Sequence, residues 1–359
     1  MEKVFKLNTG SMIPAVGLGT WQSDGASCQA AVSMALKVGY RLVDCAHLYG
    51  NEMEVGNALQ EAVEGGLVRT DVFISSKLWF TSLCSKRVLE AAKTSLKHLR
   101  LTYLDLYLLH WPKLAPMGDA TDPPSHATFD KTKPKHQIEE TWRAMEALVE
   151  QGLVRAIGVS NFSIGQIQNI LNFCKIVPAV YQGELHPYWR QDELVTFCKS
   201  RGIHVVAHTP LGVPSSHIEV VPIYSYCGNE AANVVNSPSP SNQELQHVPR
   251  ARAKSIHAPM LRTTTISEIS QRLDKTAAQV ILRWGVQRGT TVLPRSLRED
   301  RIQSNFDVLD WSLLDNDWKA VNSMEPQLCQ IEGNHSYLHE TSPGGLQVVV
   351  ESDFKELTE

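Results

Sequence analysis

The chain has 359 residues, of which 43 % are hydrophobic and 20 % charged, with a formal net charge of -4 at pH 7. That length fits two average domains or one large α/β barrel, and the composition is that of an ordinary globular protein. The acidic balance excludes the basic field that non-specific nucleic-acid binding requires, and no apolar run approaches a membrane span, so neither nucleic acid nor membrane is expected as a partner.

The start, Met1-Glu2-Lys3-Val4-Phe5-Lys6, lacks the apolar core of a signal peptide. The seven cysteines are scattered and odd in number, without a Cys-x-x-Cys pair. Such usage reads as free thiols in a reducing compartment, and the cytosol is the expected location.

Phe5-Lys6-Leu7-Asn8-Thr9-Gly10-Ser11-Met12-Ile13-Pro14 predicts a β-hairpin, because a turn sequence separates two short alternating runs. Strand-like runs then alternate with amphipathic helical stretches. Val16-Gly17-Leu18-Gly19-Thr20 precedes a helix over 26–38, run 42–46 precedes 51–65, run 72–78 precedes 85–99, and run 104–110 precedes 137–151. Runs 156–160, 179–184, 204–211 and 290–294 continue the rhythm, with helices over 165–174, 191–201, around 264–288 and over 298–306. Eight such units demand parallel strands and can close into a (β/α)8 TIM barrel. An open doubly wound sheet would want a Gly-x-Gly-x-x-Gly turn, and Gly17-Leu18-Gly19-Thr20-Trp21-Gln22 lacks the third glycine.

One barrel domain over 1–359 is therefore expected, carrying an N-terminal hairpin and long loops at its C-terminal face. Residues 113–136 read as a loop able to cover the rim, and 213–258 as a disordered insertion, being polar, proline-broken and weakly periodic. The tail from about 325 onward has no strand–helix rhythm and is expected to fold over one end of the barrel.

Asp44, Tyr49, Lys77 and His110 each lie just past, or at the end of, a strand-like run, where a barrel gathers its active side chains. Singly, each has an ordinary structural reading, such as a helix cap for the aspartate. Jointly they suit proton donation to a carbonyl oxygen. A phenol with a pKa of about 10 is a poor acid at neutral pH. The Lys77 ammonium is expected to pull it down, Asp44 to keep that lysine charged, and His110 to hydrogen-bond the substrate oxygen. The sequence holds no Gly-x-Ser-x-Gly, no His-Glu-x-x-His, no P-loop and no carboxylate cluster. An acid without a nucleophile suits a reaction in which a cofactor supplies the electrons.

The stretches Gly39-Tyr40-Arg41-Leu42-Val43-Asp44-Cys45-Ala46, Tyr49-Gly50-Asn51-Glu52, Ser76-Lys77-Leu78-Trp79, Leu104 to Pro112, Ile157-Gly158-Val159-Ser160-Asn161-Phe162 and Leu293-Pro294-Arg295-Ser296 carry a resemblance. With Arg301, Ile302 and Asn305 they are similar, in order, to the aldo-keto reductase superfamily, particularly its plant aldehyde and aldose reductase branch. The resemblance implies a monomeric (β/α)8 barrel that reduces small-molecule carbonyls with NADPH. It makes Tyr49 the general acid, has Lys77 and Asp44 tune it, and has His110 position the carbonyl. It assigns Ser160, Asn161 and Gln182 to the nicotinamide carboxamide, and Thr20, Trp21, His208, Thr209 and Leu211 to the remaining cofactor wall. Arg295, Ser296 and Arg301 fall to the adenosine 2′-phosphate and Asn305 to the adenine. Two guanidiniums suit phosphate, favouring NADPH over NADH. Trp21, His47, Trp79 and Trp111 match the substrate pocket.

The chain also departs from the family's pattern. His208 stands where a tyrosine usually stacks on the nicotinamide, Tyr181 where an asparagine precedes the carboxamide-binding glutamine, Arg295 for a lysine and Ser304 for a glutamate. Val213-Pro214 alters the start of the loop that in relatives folds over the pyrophosphate. Weaker cofactor clamping is expected, and with it a second reading: a catalytically weak NADPH-binding regulatory or redox-sensing protein.

Overall fold

The computed structural model describes residues 4–83, 85–112, 134–212, 260–325, 327 and 329. The hairpin forms as expected: β1 (Val4–Lys6) pairs antiparallel with β2 (Met12–Pro14), Phe5 opposite Ile13. Eight parallel strands follow: β3 (Leu18–Gly19), β4 (Leu42–Asp44), β5 (Phe73–Leu78), β6 (Leu106–Leu109), β7 (Ile157–Ser160), β8 (Val180–Glu184), β9 (His204–His208) and β10 (Thr291–Leu293). They neighbour one another in chain order. The ring closes where Gly17 N donates to the Val292 carbonyl at 2.9 Å and Gly19 N to that of Pro294 at 3.0 Å. The expected (β/α)8 barrel is the observed fold.

Outside the strands lie α1 (Gly25–Val38), α2 (Glu52–Glu64), α3 (Ser85–Leu99), α4 (Pro134–Glu150), α5 (Ile164–Leu171), α6 (Asp192–Ser200), α7 (Thr264–Leu273), α8 (Ala277–Gln287), α9 (Glu299–Phe306) and α10 (Asp315–Asn322). The stretch around 264–288 is two helices, because Asp274 turns left-handed at φ 51° and Thr276 starts α8 with a capping box to Gln279. The run over 204–211 is shorter than expected as a strand, ending at His208 where Thr209 turns left-handed at φ 51°. α10 was not expected, since only Trp318, Ala320 and Val321 of its eight residues are apolar. Of the expected 113–136 loop, 134–136 begin α4 and the rest lies outside the described residues, as does the 213–258 segment.

Alternation along the strands builds two cores, since successive residues point to opposite faces. Leu42, Phe73, Leu106, Leu108, Val180, Val206 and Leu293 meet inside the barrel, and Leu7 and Ile13 of the hairpin segment join them. The hairpin thereby plugs the N-terminal end, tied there by Asn8 Nδ2 to the Pro178 carbonyl at 3.1 Å and Thr291 Oγ1 to that of Pro14 at 3.0 Å. The opposite strand faces, among them Val43, Ile74, Tyr107 and Val159, pack on the surrounding helices. The N-terminal mouth is thus filled, and the C-terminal mouth is the face left for chemistry.

Candidate active site

The inward faces of successive strands continue past the apolar layer into polar groups. Leu42 is followed two residues on by Asp44, Phe73 by Ser75 and Lys77, Leu108 by His110, Val180 by Gln182 and Glu184, and Val206 by His208. A period of two therefore brings residues distant in sequence to one rim. Asp44, Lys77, His110, Ser160, Asn161 and Gln182 are all buried there. Tyr49 arrives from a one-turn 3-10 helix, His47–Tyr49, that ends at Gly50 in the left-handed region, φ 67°. Glycine meets that geometry without a Cβ penalty.

Lys77 is the hub of this rim. Its Nζ donates to Asp44 Oδ2 at 2.6 Å, to the Cys45 carbonyl at 2.8 Å and to Tyr49 Oη at 3.2 Å. An ammonium has three protons, and each has an acceptor. Asp44 is equally saturated, its Oδ1 taking Ser75 Oγ at 2.7 Å and Gln182 Nε2 at 2.9 Å. A buried ion pair is tolerable only with such complete satisfaction. Because Tyr49 Oη accepts from Lys77, its own proton is left to be donated elsewhere.

Burial raises the Tyr49 phenol above its ordinary value; the Lys77 ammonium pulls it down, but by less, and Asp44 adds to the rise. The expected net lowering is therefore corrected: desolvation outweighs the nearby cation. The phenol consequently stays protonated at neutral pH. Burial by itself would depress the Lys77 ammonium, yet Asp44 and Tyr49 together outweigh it and the lysine stays charged. His110 is driven well below the usual imidazole range by burial and by the charge of Lys77, which keeps it neutral. Its ring stands edge-on to Tyr49 at 5.8 Å and to Trp79 at 5.3 Å between centroids, with Trp111 at 6.4 Å. His110 Nδ1 is buried without a partner among the described residues.

The groups proposed by resemblance for a nicotinamide adjoin this set. Asn161, left-handed at φ 61°, donates from Nδ2 to the His110 carbonyl at 3.0 Å and to Ser160 Oγ at 3.2 Å. His208 bonds its side-chain oxygen. Thr20 Oγ1 donates to the Asp44 carbonyl at 2.9 Å, and Leu211 packs against the core at the end of β9. Thr209 bonds His208.

On the far rim the guanidinium of Arg295 reaches the Gln22 carbonyl and Ser23 Oγ, bridging the loop after β10 to the loop after β3. Ser296 Oγ accepts from Arg298 N at 3.1 Å, opening α9. Arg301 is exposed and Asn305 buried on that helix. The guanidiniums and amides along this rim are a donor set chemically suited to a phosphate and a carboxamide. Trp21 stands exposed at 41 %, while His47 faces Glu52, whose carboxylate lifts its imidazole pKa.

Several residues of the site were not anticipated. Ser75, which bonds Asp44, sits two residues before Lys77, and strand periodicity was the available signal. Asn51 ties the first loop by donating from Nδ2 to the carbonyls of Thr20 at 2.8 Å and Ser23 at 2.7 Å. Glu184 is fully buried, bonding His186 Nε2 at 2.9 Å and taking Cys329 Sγ at 3.1 Å. Cys329 and Gln327 thus bring the start of the tail to the end of β8; whether the tail folds over one end of the barrel falls on residues beyond Cys329, outside the described ones.

Fold and rim together define a (β/α)8 barrel with a proton-handling site at its C-terminal face. A model of the Aldo/keto reductase family matches residues 15–326, and the chain belongs to that family. It is 38 % identical over 338 residues to aldo-keto reductase family 4 member C11 of Arabidopsis thaliana, covering 94 % of this chain and 93 % of the relative. It is 40 % identical over 328 residues to aldo-keto reductase family 1 member A1-A of Danio rerio, covering 90 % of each. Among solved structures, the aldose reductase from Schistosoma japonicum superposes with a TM-score of 0.75 at 36 % identity, covering 95 % of this chain and 98 % of that one. The family makes the protein an oxidoreductase acting on small-molecule carbonyls, and the plant relative agrees with the branch read from the sequence.

Proposed function

We propose that the protein reduces aldehydes and ketones to alcohols with NADPH, Tyr49 being the general acid. The observation that carries this reading is the saturation of Lys77, whose third proton rests on Tyr49 Oη and leaves the phenolic proton free to be donated. A nicotinamide held here would supply the hydride for the carbonyl carbon. Tyr49 donates its proton to the carbonyl oxygen, and Lys77, held charged by Asp44, stabilises the phenolate that remains. Neutral His110 orients that oxygen with a hydrogen bond. Trp21, Trp79 and Trp111 wall the substrate pocket, whereas His47, expected there, turns away from it to Glu52.

Ser160, Asn161 and Gln182 hold the carboxamide, with Thr20, Trp21, His208, Thr209 and Leu211 around it. Arg295, Ser296 and Arg301 hold the 2′-phosphate, and Asn305 the adenine. Two guanidiniums at that end support NADPH over NADH. The same reading takes the chain as one monomeric barrel domain in the cytosol; no helix among the described residues is long and apolar enough to cross a membrane.

Fluorescence titration with NADPH and NADH, followed by a panel of small aldehydes and ketones, tests the reading. It predicts tighter binding of NADPH and its oxidation by at least some carbonyls. Failure to bind either cofactor contradicts it. One observation favours the second reading, an NADPH-binding regulatory or redox-sensing protein: His208 occupies Asn161, the residue that is to hold the carboxamide. That reading predicts NADPH binding without turnover.

A further inference from the structure

Behind the catalytic rim, on the helix side of β5, a buried carboxylate faces two imidazoles. Glu52 opens α2 and is 2 % exposed. Its Oε1 takes Ser76 Oγ at 2.7 Å, and its Oε2 takes Ser95 Oγ at 3.2 Å. Both His47 and His98 aim Nδ1 at that same Oε2, from 3.7 and 3.6 Å. Both distances exceed a hydrogen bond. The two rings lie nearly parallel, 11° apart in plane with centroids at 6.4 Å. The three ligand atoms fall within 4.8 Å of one another.

These spacings also suit a metal ion. Zinc bound at about 2.0–2.1 Å in a tetrahedral site sets neighbouring ligand atoms about 3.3–3.4 Å apart. The two measured edges need to contract by only a few tenths of an ångström. Two imidazoles and one carboxylate are also a ligand set that binds zinc while leaving a fourth position open. The His47 and His98 side chains are 49 % and 34 % exposed, so an ion has a route in and the fourth position faces solvent. The hydroxyls of Ser76 and Ser95 orient the carboxylate, the kind of outer support that bound metals use.

The fold holds the set in place without any metal. Glu52 and Gly56 are four residues apart on α2 and share a face. A Cβ at Gly56 would overlap the His98 carbonyl, so this glycine lets α2 lie directly against the last turn of α3. The close crossing delivers His98 to the mouth of the Glu52 pocket.

We propose that His47, Glu52 and His98 form a binding site for a divalent transition-metal ion of the zinc class. His47 begins the turn that ends in Tyr49, so an occupied site ties that turn to α3. The site does not depend on the carbonyl chemistry proposed above, and its test is independent of turnover.

The test is a calorimetric titration of the full chain with Zn2+, repeated with Co2+ and its visible absorption, in the wild type and in His98→Ala. The expected result is one saturable ion per chain and a tetrahedral Co2+ spectrum without a thiolate band. In His98→Ala the affinity falls at least tenfold while NADPH affinity is unchanged. Circular dichroism and a melting curve establish that the variant is folded, and His98→Gln replaces it if it is not. Absence of saturable binding, unchanged affinity in the folded variant, or a thiolate band placing the ion on a cysteine each overturns the proposal.

Discussion

His208 Nε2 donates to the side-chain oxygen of Asn161 across 2.9 Å, while its Nδ1 meets Thr209 Oγ1 at 3.0 Å. Asn161 spends its own amide protons on the His110 carbonyl and Ser160 Oγ, which fixes its oxygen toward the histidine. Nε2 therefore carries a proton, and in a neutral ring Nδ1 accepts from the Thr209 hydroxyl. Burial keeps the ring neutral, holding its pKa down to about 4. The residue that replaces a stacking tyrosine is thus a hydrogen-bonding neighbour of the proposed carboxamide reader.

Replacing His208 with Tyr removes that bond and enlarges the aromatic face. Aromatic stacking beyond area burial is worth about 0.5–1.5 kcal/mol, so NADPH should bind about 2–10-fold more tightly. Fluorescence quenching measures this directly. Weaker binding in the variant would show that the His208–Asn161 contact assists the cofactor.

Two half-buried histidines also predict how stability depends on pH. His204 and His208 both fall from 6.5 to about 4 in the folded chain, chiefly through burial. Between those values the unfolded state binds more protons, so stability rises with pH there and is lost as pH falls from 6.5 towards 4. The melting temperature should drop between pH 7 and pH 5. His204→Gln, which keeps a polar partner for Thr291, should flatten that drop, and an unchanged slope would contradict the assignment.

Lys77→Met leaves the Asp44 carboxylate buried without its cation. Breaking a buried pair this way costs about 3–5 kcal/mol, read as a lower urea midpoint. Adding Asp44→Asn should recover much of the stability and none of the reductase activity. A single variant as stable as the wild type would mean that Ser75 and Gln182 alone can hold the aspartate.

Most of the barrel was legible because strand and helix have different apolar periods, and eight alternations leave few topologies. The rim was legible for the same reason: Asp44, Lys77 and His110 continue the inward faces of Leu42, Phe73 and Leu108. The sign of the Tyr49 shift was not, because burial is a property of the folded rim and no spacing reports it. Neither Glu184 with Cys329 nor Glu52 with His98 leaves a motif, since their partners lie 145 and 46 residues apart and meet only through packing. α10 was missed because three apolar residues in eight give too little periodicity to read.

The most direct measurement is the kinetics of Tyr49→Phe, with NADPH affinity determined on the same preparation. The hydroxyl works at the transition state, so its loss should cost about 10²–10⁴-fold in kcat and leave the NADPH Kd within a few-fold of the wild type. A variant that still reduces aldehydes at the wild-type rate, or that no longer binds NADPH, would contradict Tyr49 as the acid held ready by Lys77.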